Sequence, residues 1–383
     1  MNYWQKRNAL DLIEQEKKGL LYEQQLLKEF QNAKEEIKYE IDLFYSLYAK
    51  DNKITYAEAQ KLLNSSELAN FKKRLKNYKE TLQKIETSVS KKLLNQLDRD
   101  MNRVNISRLE ALEKQIEYKI DLLKNTQDTK MNDLLSNSYE DSYYRTMFNT
   151  QQRIGIGYSF THLNSNAIEK AILTKYQGTN FSDRIWQEKD KLVLSLNTTL
   201  AQSIIRGGGV SYVANEVVKT TNTSYYNAVR LARTELNRVY NKAAEQSYKD
   251  SEVVEQYEFV ATLDDRTSDI CASLDGRKFN KDEYEAGINA PPMHPNCRST
   301  TVPVVNSAIK ERMAKDKDGK YTKVPSSMTY LEWAKKYCPE KYVKLVEQNS
   351  SQYKKATNNT NISKQSANIK KEQDNNINKN KNS

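Results

Sequence analysis

The sequence predicts a mainly α-helical chain with a C-terminal α+β module, a long helical N-terminal region and a disordered basic tail. Three observations lead there. Apolar residues step by three or four along most of the first 250 positions, as on Leu26, Phe30, Ala33, Ile37, Ile41, Phe44 and Tyr48, which puts them on one face of a helix. A period-two pattern first becomes convincing at Tyr257, Phe259 and Ala261, set between Gln256, Glu258 and Val260. From Ser350 onward the chain is Asn, Lys, Gln and Ser with almost no aliphatic content, too polar to bury a core.

Composition narrows this further. Only 37% of residues are hydrophobic, so the expected cores are narrow helix seams rather than thick layers. A net charge of +11 suits an anionic partner, such as nucleic acid or an acidic protein surface. A lysine-rich coding composition gives the same charge with no such partner. No apolar run approaches the roughly 20 residues that span a bilayer, and Met1–Arg7 lacks the apolar region of a secretory signal. Three cysteines in so long a chain argue against a disulfide framework and for a reducing cytoplasm.

Taken in order, residues 1–135 read as a helical arm or bundle. One or two helices precede the break at Asp51-Asn52-Lys53, and Thr55 with Glu58 and Ser107 with Glu110 are capping-box signatures that start new ones. Residues 136–223 form a helical middle region. Within it, the stretch 137–161 turns to Tyr, Ser and Asn, with Gly155 and Gly157 interrupting any helix, and Phe181–Ile204 reads as a helix. Gly207-Gly208-Gly209 follows no β-type run and precedes no Gly-Lys-Ser/Thr, so it predicts a helix stop rather than a phosphate loop, with Ser211 capping the next helix. Residues 224–306 form the α+β module: a helix from Ser224 to Lys249, a strand from Tyr257 to Thr262, a hairpin turn at Asp275-Gly276, and a β-branched run from Ser299 to Val304. Residues 307–349 are a charged segment with a short helix begun by Thr329 and Glu332, in which Cys338 reads as a bystander. Residues 350–383 are the basic tail. There Lys354, Lys355, Lys364, Lys370 and Lys371 could meet DNA by charge alone.

Chemistry concentrates in the α+β module. Cys271, His294 and Cys297 supply the thiolates and imidazole that Zn²⁺ prefers, and His294-Pro295-Asn296-Cys297 can present two of them from one turn. Ser268 stands where a Cys would complete a C-x-x-C pair, so the set is one ligand short. The same residues could instead pack and hydrogen-bond without metal. A nucleophilic reading, with His294 as base to Cys271 or Cys297, lacks any sequence sign of an oxyanion hole. His162 reads as a surface residue. Arg233, Glu235, Asp264 and Arg266 form a candidate polar network tying the module's helix to its strand turn, because buried charges persist only when paired.

These residues carry a family resemblance. Arg230-Leu231-Ala232-Arg233-Thr234-Glu235, Asp264-Asp265-Arg266-Thr267, Cys271, Leu274-Asp275-Gly276 and Pro291-Pro292-x-His294-Pro295-Asn296-Cys297-Arg298 resemble, in that order, the core of the Mu F-like head morphogenesis proteins of tailed phages. Tyr3-Trp4, Ile54-Thr55 with Glu58-Ala59, Phe181–Trp186 and Met328-Thr329-Tyr330-x-Glu332-Trp333 are similar to members from phages of Gram-positive bacteria. The family shows Cys-x-x-Cys where this chain has Ser268-Asp269-Ile270-Cys271, which weakens any metal carried over from it. The resemblance implies a minor capsid protein and not an enzyme. It implies a place in the head interior, assembly in the host cytoplasm, and no membrane. The implied partners are the portal protein, with scaffold, major capsid protein and double-stranded DNA as further candidates. The alternative is an effector-type enzyme acting on nucleotides or nucleic acid. Against it, the stretch after Val304 is too short and too polar for a further catalytic domain of ordinary size.

Overall fold

The computed structural model describes residues 3–84, 88–154, 160–262, 266–305, 313–315, 321–323, 335 and 339–344, with backbone alone at 3–10, 12, 88–90, 313–315 and 321–323. Expectations about Asp264, the Thr329 capping box, Cys338 and the basic tail with its lysines lie outside the described residues.

Helices dominate. They are α1 (Tyr3–Tyr48), α2 (Tyr56–Ala59), α3 (Ser65–Gln83), α4 (Ser88–Met101), α5 (Arg108–Ile154), α6 (Ser165–Ile172), α7 (Phe181–Ile205) and α8 (Val210–Asp250). Then come β1 (Gln256–Val260), α9 (Asp269–Leu274), β2 (Lys278–Asn280) and β3 (Thr300–Val304). The short strands β4 (Met313–Lys315) and β5 (Tyr321–Lys323) pair antiparallel. None of the described helices is long and apolar enough to cross a membrane.

Several boundaries follow from side-chain chemistry visible in the sequence. Thr55 accepts the Glu58 N–H at 3.2 Å and Ser107 accepts the Glu110 N–H at 3.2 Å, so both capping signatures start helices as expected. At the triple glycine, Gly207 N–H donates to the Ile204 carbonyl and Gly208 N–H to the Ser203 carbonyl, both at 2.9 Å. With Gly207 at φ 71°, this is a Schellman stop. A Cβ on Gly208 would sit 2.7 Å from the Tyr212 ring and 2.9 Å from the Ser203 carbonyl, so only glycine fits.

Two expectations fail. The next helix starts at Val210, not after a Ser211 cap, and runs unbroken to Asp250 instead of restarting at Ser224. Its Thr-rich stretch stays helical because burial of Val213 and Val217 anchors it, while Thr220, Thr221 and Thr223 turn their hydroxyls onto carbonyls four residues back. The Tyr- and Ser-rich stretch from 137 to Ile154 is the end of α5, which stops just before Gly155 as the glycines suggest. Tyr139, Tyr143, Tyr144, Met147 and Phe148 line its buried side, so tertiary burial overrides weak propensity.

The chain divides into two compact units that are each discontinuous in sequence: Met1–Gln24, Leu134–Ile172 and Arg233–Ser383 in one, Gln25–Asp133 and Leu173–Ala232 in the other. A linear division cannot represent this, because α1, α5 and α8 each contribute to both.

In the second unit, one seam joins Ile37, Ile41, Phe44, Leu112, Ile116, Ile120, Leu196, Leu200, Val213 and Val217. Another joins Phe71, Leu75, Leu82, Leu97 and Tyr118. Between polar faces sits Lys189, 3.0 Å from Glu117 and 3.2 Å from Asp121. Asp121 is fully buried, and Lys189 is the cation beside it. Burial therefore outweighs the pull of Lys189 and raises its carboxyl to about 6. A folded value above the unfolded one favours folding below about pH 4 and loses that contribution as pH rises through about 6. Asp121→Asn should therefore stabilise the protein at pH 7 by about 1–3 kcal/mol and flatten the stability profile between pH 4 and 6. Urea unfolding at a series of pH values measures both, and a destabilised variant at pH 7 would contradict the assignment.

In the first unit, Asp141 of α5 is buried and collects three partners. Lys18 of α1 donates at 2.6 Å, Arg145 at 2.9 and 3.0 Å, and the Tyr342 hydroxyl at 2.8 Å. Burial alone would raise this carboxyl, but Arg145 and Lys18 hold it well below the usual range. Its contribution is present above the unfolded value near 4 and fades only as pH falls through the lower folded value. Asp141→Asn leaves the buried Lys18 ammonium without its counter-ion, and a loss of about 3–5 kcal/mol is expected in denaturant unfolding at pH 7.

Candidate metal centre

The site is built on the first unit's small sheet, in the order β2-β1-β3 with both pairings antiparallel. Tyr257 and Phe259 of β1 point inward and are fully buried, as the alternation predicts. Asp275-Gly276 is not a hairpin turn between adjacent strands, because α9 intervenes between β1 and β2. It ends α9 instead. Gly276, at φ 74°, donates its N–H to the Phe259 carbonyl at 2.8 Å, while the Asp275 carboxylate accepts the Ala261 N–H at 2.8 Å. β3 pairs with β1, placing Thr301 opposite Phe259.

Around Phe259 lies a small core of Ala261, Cys271, Leu274 and Cys297. Ser268 caps α9 by accepting the Cys271 N–H at 3.3 Å, so the first turn of that helix presents Cys271 inward. The opposite wall is the turn His294–Cys297, closed by Cys297 N–H to the His294 carbonyl at 3.1 Å. Pro295 at its second position and Asn296 at φ 60° at its third follow the pattern of a type II turn.

The two walls bring the three predicted ligands together. Cys271 Sγ is 3.8 Å from Cys297 Sγ and 3.4 Å from His294 Nε2, and the three ligand atoms all lie within 4.8 Å of one another. Both cysteines are reduced and buried, and His294 is half-buried. His294 Nδ1 lies 2.9 Å from the Pro295 carbonyl, which can only accept. In the neutral imidazole Nδ1 therefore carries the hydrogen, and Nε2 turns its lone pair toward the sulfurs and toward Ser268 Oγ, 2.9 Å away. Burial pushes the Cys297 thiol upward, and the neighbouring Cys271 adds to that, against backbone hydrogen bonds at Met293 and Ser299.

The candidate polar network is distributed differently. Arg233 forks onto Glu23 of α1 at 2.6 and 2.7 Å and is largely exposed. Glu235 is buried and pairs with Arg238 at 2.6 Å, and Arg238 in turn donates to the Ile172 carbonyl at 2.6 Å. Arg266 is exposed just before α9. The ties from α8 to the loop beside the ligand candidates come from other side chains. Thr234 accepts the Asn296 N–H at 3.0 Å, Asn237 donates to the Ser299 carbonyl at 2.9 Å, and Asn241 reaches the same carbonyl at 3.4 Å. The signal was present in the spacing. Thr234, Asn237, Arg238 and Asn241 fall at i, i+3, i+4 and i+7, a polar stripe along a helix whose other steps are apolar.

Comparison with known proteins bears on this same region. Residues 195–302, which contain α8, the sheet and all three candidate ligands, match the family model described as phage Mu protein F like protein. Minor head protein GP7 of Bacillus phage SPP1 is 28% identical over 331 residues, covering 82% of this chain and 92% of GP7. Residues 195–302 thus carry a Mu F-like segment, and most of the chain is similar to a phage minor head protein. An Enterococcus faecalis (strain V583) protein named NAD(+)–arginine ADP-ribosyltransferase EFV is 23% identical over 300 residues, covering 75% of this chain. The match spans only 57% of that relative's own length. No solved structure matches the chain.

Within this Mu F-like segment, Thr234 holds the ligand turn at its Asn296 amide. Thr234→Val keeps the shape and removes the acceptor, and it should cost about 1–2 kcal/mol in urea unfolding. Faster hydrogen exchange at the Asn296 amide is expected with it; unchanged exchange would show that the turn is held by other contacts.

Proposed function

We propose that this protein is a minor structural component of a tailed-phage head that docks on the portal inside the capsid and assists head assembly and genome packaging or ejection. The observation that carries this reading is the near end-to-end similarity to minor head protein GP7, which extends well beyond the Mu F-like segment into the N-terminal helices. The physical character of the chain supports it. Long helices with narrow seams and highly charged outer faces offer extended surfaces for docking to other subunits. The net positive charge and the lysines of residues 350–383 suit contact with packaged double-stranded DNA. Portal is the leading partner, with scaffold and major capsid protein as others.

The enzyme reading rests on the Enterococcus relative. About two-fifths of that protein lies outside the match, so its named activity need not reside in the part that resembles this chain. The shared stretch is of the same order as the one shared with GP7, which is named for a head role alone. The deciding experiment is co-expression with the portal protein of the same genome, followed by size-exclusion chromatography and subunit counting in purified heads. A stable complex, with far fewer copies than the major capsid protein, is the expected result. No complex, together with nicotinamide release from NAD⁺ in the presence of an arginine substrate, would replace this reading with the enzymatic one.

A further inference from the structure

We infer that Cys271, His294 and Cys297 form a binding site for a zinc-class divalent cation, and that Ser268 at its fourth corner makes the site exchangeable rather than closed. The inference stands apart from the head-protein reading, and neither depends on the other.

Two of the three distances between the candidate ligand atoms match the ion, and all three atoms lie within 4.8 Å of one another. Zinc–sulfur bonds of about 2.3 Å at tetrahedral angles put two thiolates about 3.8 Å apart, and a thiolate and an imidazole nitrogen about 3.5 Å apart. The structure has 3.8 Å between Cys271 and Cys297, and 3.4 Å between Cys271 and His294. The donor set also selects the ion: two thiolates with one imidazole favour zinc over magnesium or calcium, which take oxygen ligands.

Orientation provides a second, independent observation. A metal-binding histidine donates its remote N–H to a fixed acceptor, which sets the tautomer and aims the other nitrogen. His294 does this through Nδ1 and the Pro295 carbonyl at 2.9 Å. The turn that carries the ring is itself pinned by Asn296 N–H to Thr234. The pocket is thus held by α8 and by the α9 cap, without help from an ion.

The fourth corner explains the site's character. Ser268 Oγ lies 2.9 Å from His294 Nε2, on the ligand side of the cluster, and already accepts the Cys271 N–H. A neutral hydroxyl is a poor zinc ligand compared with a thiolate. Loading therefore takes three strong donors: Cys271 and Cys297 bind as thiolates, and their two protons go to solvent for each ion bound. The ion would fasten the start of α9 to the His294–Cys297 turn over Phe259, a structural clasp open at one corner.

The test uses the full chain, reduced and stripped of metal, titrated with zinc and, as a spectroscopic stand-in, with cobalt(II). The expected result is saturation at one equivalent, thiolate-to-cobalt charge-transfer absorption, release of two protons per ion, and tighter binding at higher pH. Cys297→Ser should remove the charge-transfer band or weaken binding by at least about tenfold. Should that variant fail to fold, Ser268→Cys supplies the second arm. It completes a three-thiolate set and should tighten binding by at least about tenfold while strengthening the charge-transfer band. Absence of one-equivalent binding by the parent chain, or an affinity unchanged in Ser268→Cys, would overturn the assignment.

Discussion

The C-terminal module depends on the polar stripe of α8. A small three-stranded sheet with one short helix cannot satisfy the backbone of the loops around it, and a buried, unpaired carbonyl or amide is destabilising. α8 answers this with side chains rather than with more secondary structure. Asn237 and Asn241 take the Ser299 carbonyl, Thr234 takes the Asn296 amide, and Arg238 takes the Ile172 carbonyl. Further along, the Tyr248 hydroxyl donates to the Thr301 carbonyl at 3.0 Å, and the Tyr284 hydroxyl returns to the Asn241 carbonyl at 3.1 Å. The sheet and the ligand turn are thus hung from one helix, and Arg238 can be buried only because Glu235 lies one turn before it.

The same logic operates wherever apolar residues are scarce. Tyrosine serves as core material with a polar tip: its ring fills space while its hydroxyl reaches a carboxylate. Tyr118 donates to Asp100, Tyr143 to Asp250 and Tyr342 to Asp141, at 2.6, 2.6 and 2.8 Å. Asp100 and Asp141 are buried and Asp250 half-buried, and each needs a specific partner at a specific distance. A chain with thick aliphatic layers tolerates imprecision by repacking; this one relies on geometry. Where a partner falls short, the result is visible, as at Asp121, whose carboxyl stays elevated beside Lys189.

That contrast governs what the sequence disclosed. Period and capping are local properties, so the seam through Leu26–Tyr48, the caps at Thr55 and Ser107, the glycine stop and the alternation at Tyr257–Ala261 were all legible. The continuation of α8 through its threonines was not. Tyr, Ser and Thr have weak helix propensity in isolation, and what holds them is burial against segments distant in sequence. The grouping of Cys271, His294 and Cys297 was legible because Cys and His are rare in this chain and two of the three share one turn. The α8 stripe was missed because Thr, Asn and Arg are common here, and only the i, i+3, i+4, i+7 spacing marks them. The pairing of Arg233 with Glu23, 210 positions away, has no local signature at all.

Ser268 shows how one position can serve two physical demands that conflict. As an N-cap, a serine oxygen is among the best acceptors for the open amides of a first helical turn, and α9 is only six residues long, so it gains proportionately from a good cap. As a metal ligand, the same oxygen is far inferior to a thiolate. A cysteine would reverse the balance, weakening the cap and closing the coordination sphere. With serine, α9 is held by its own cap and by the Cys271, Leu274 and Phe259 contacts whether or not an ion is present. For a chain whose other contacts are mostly fixed polar geometry, the Cys271–His294–Cys297 corner is thus assembled by the cap of α9 and the turn His294–Cys297 themselves.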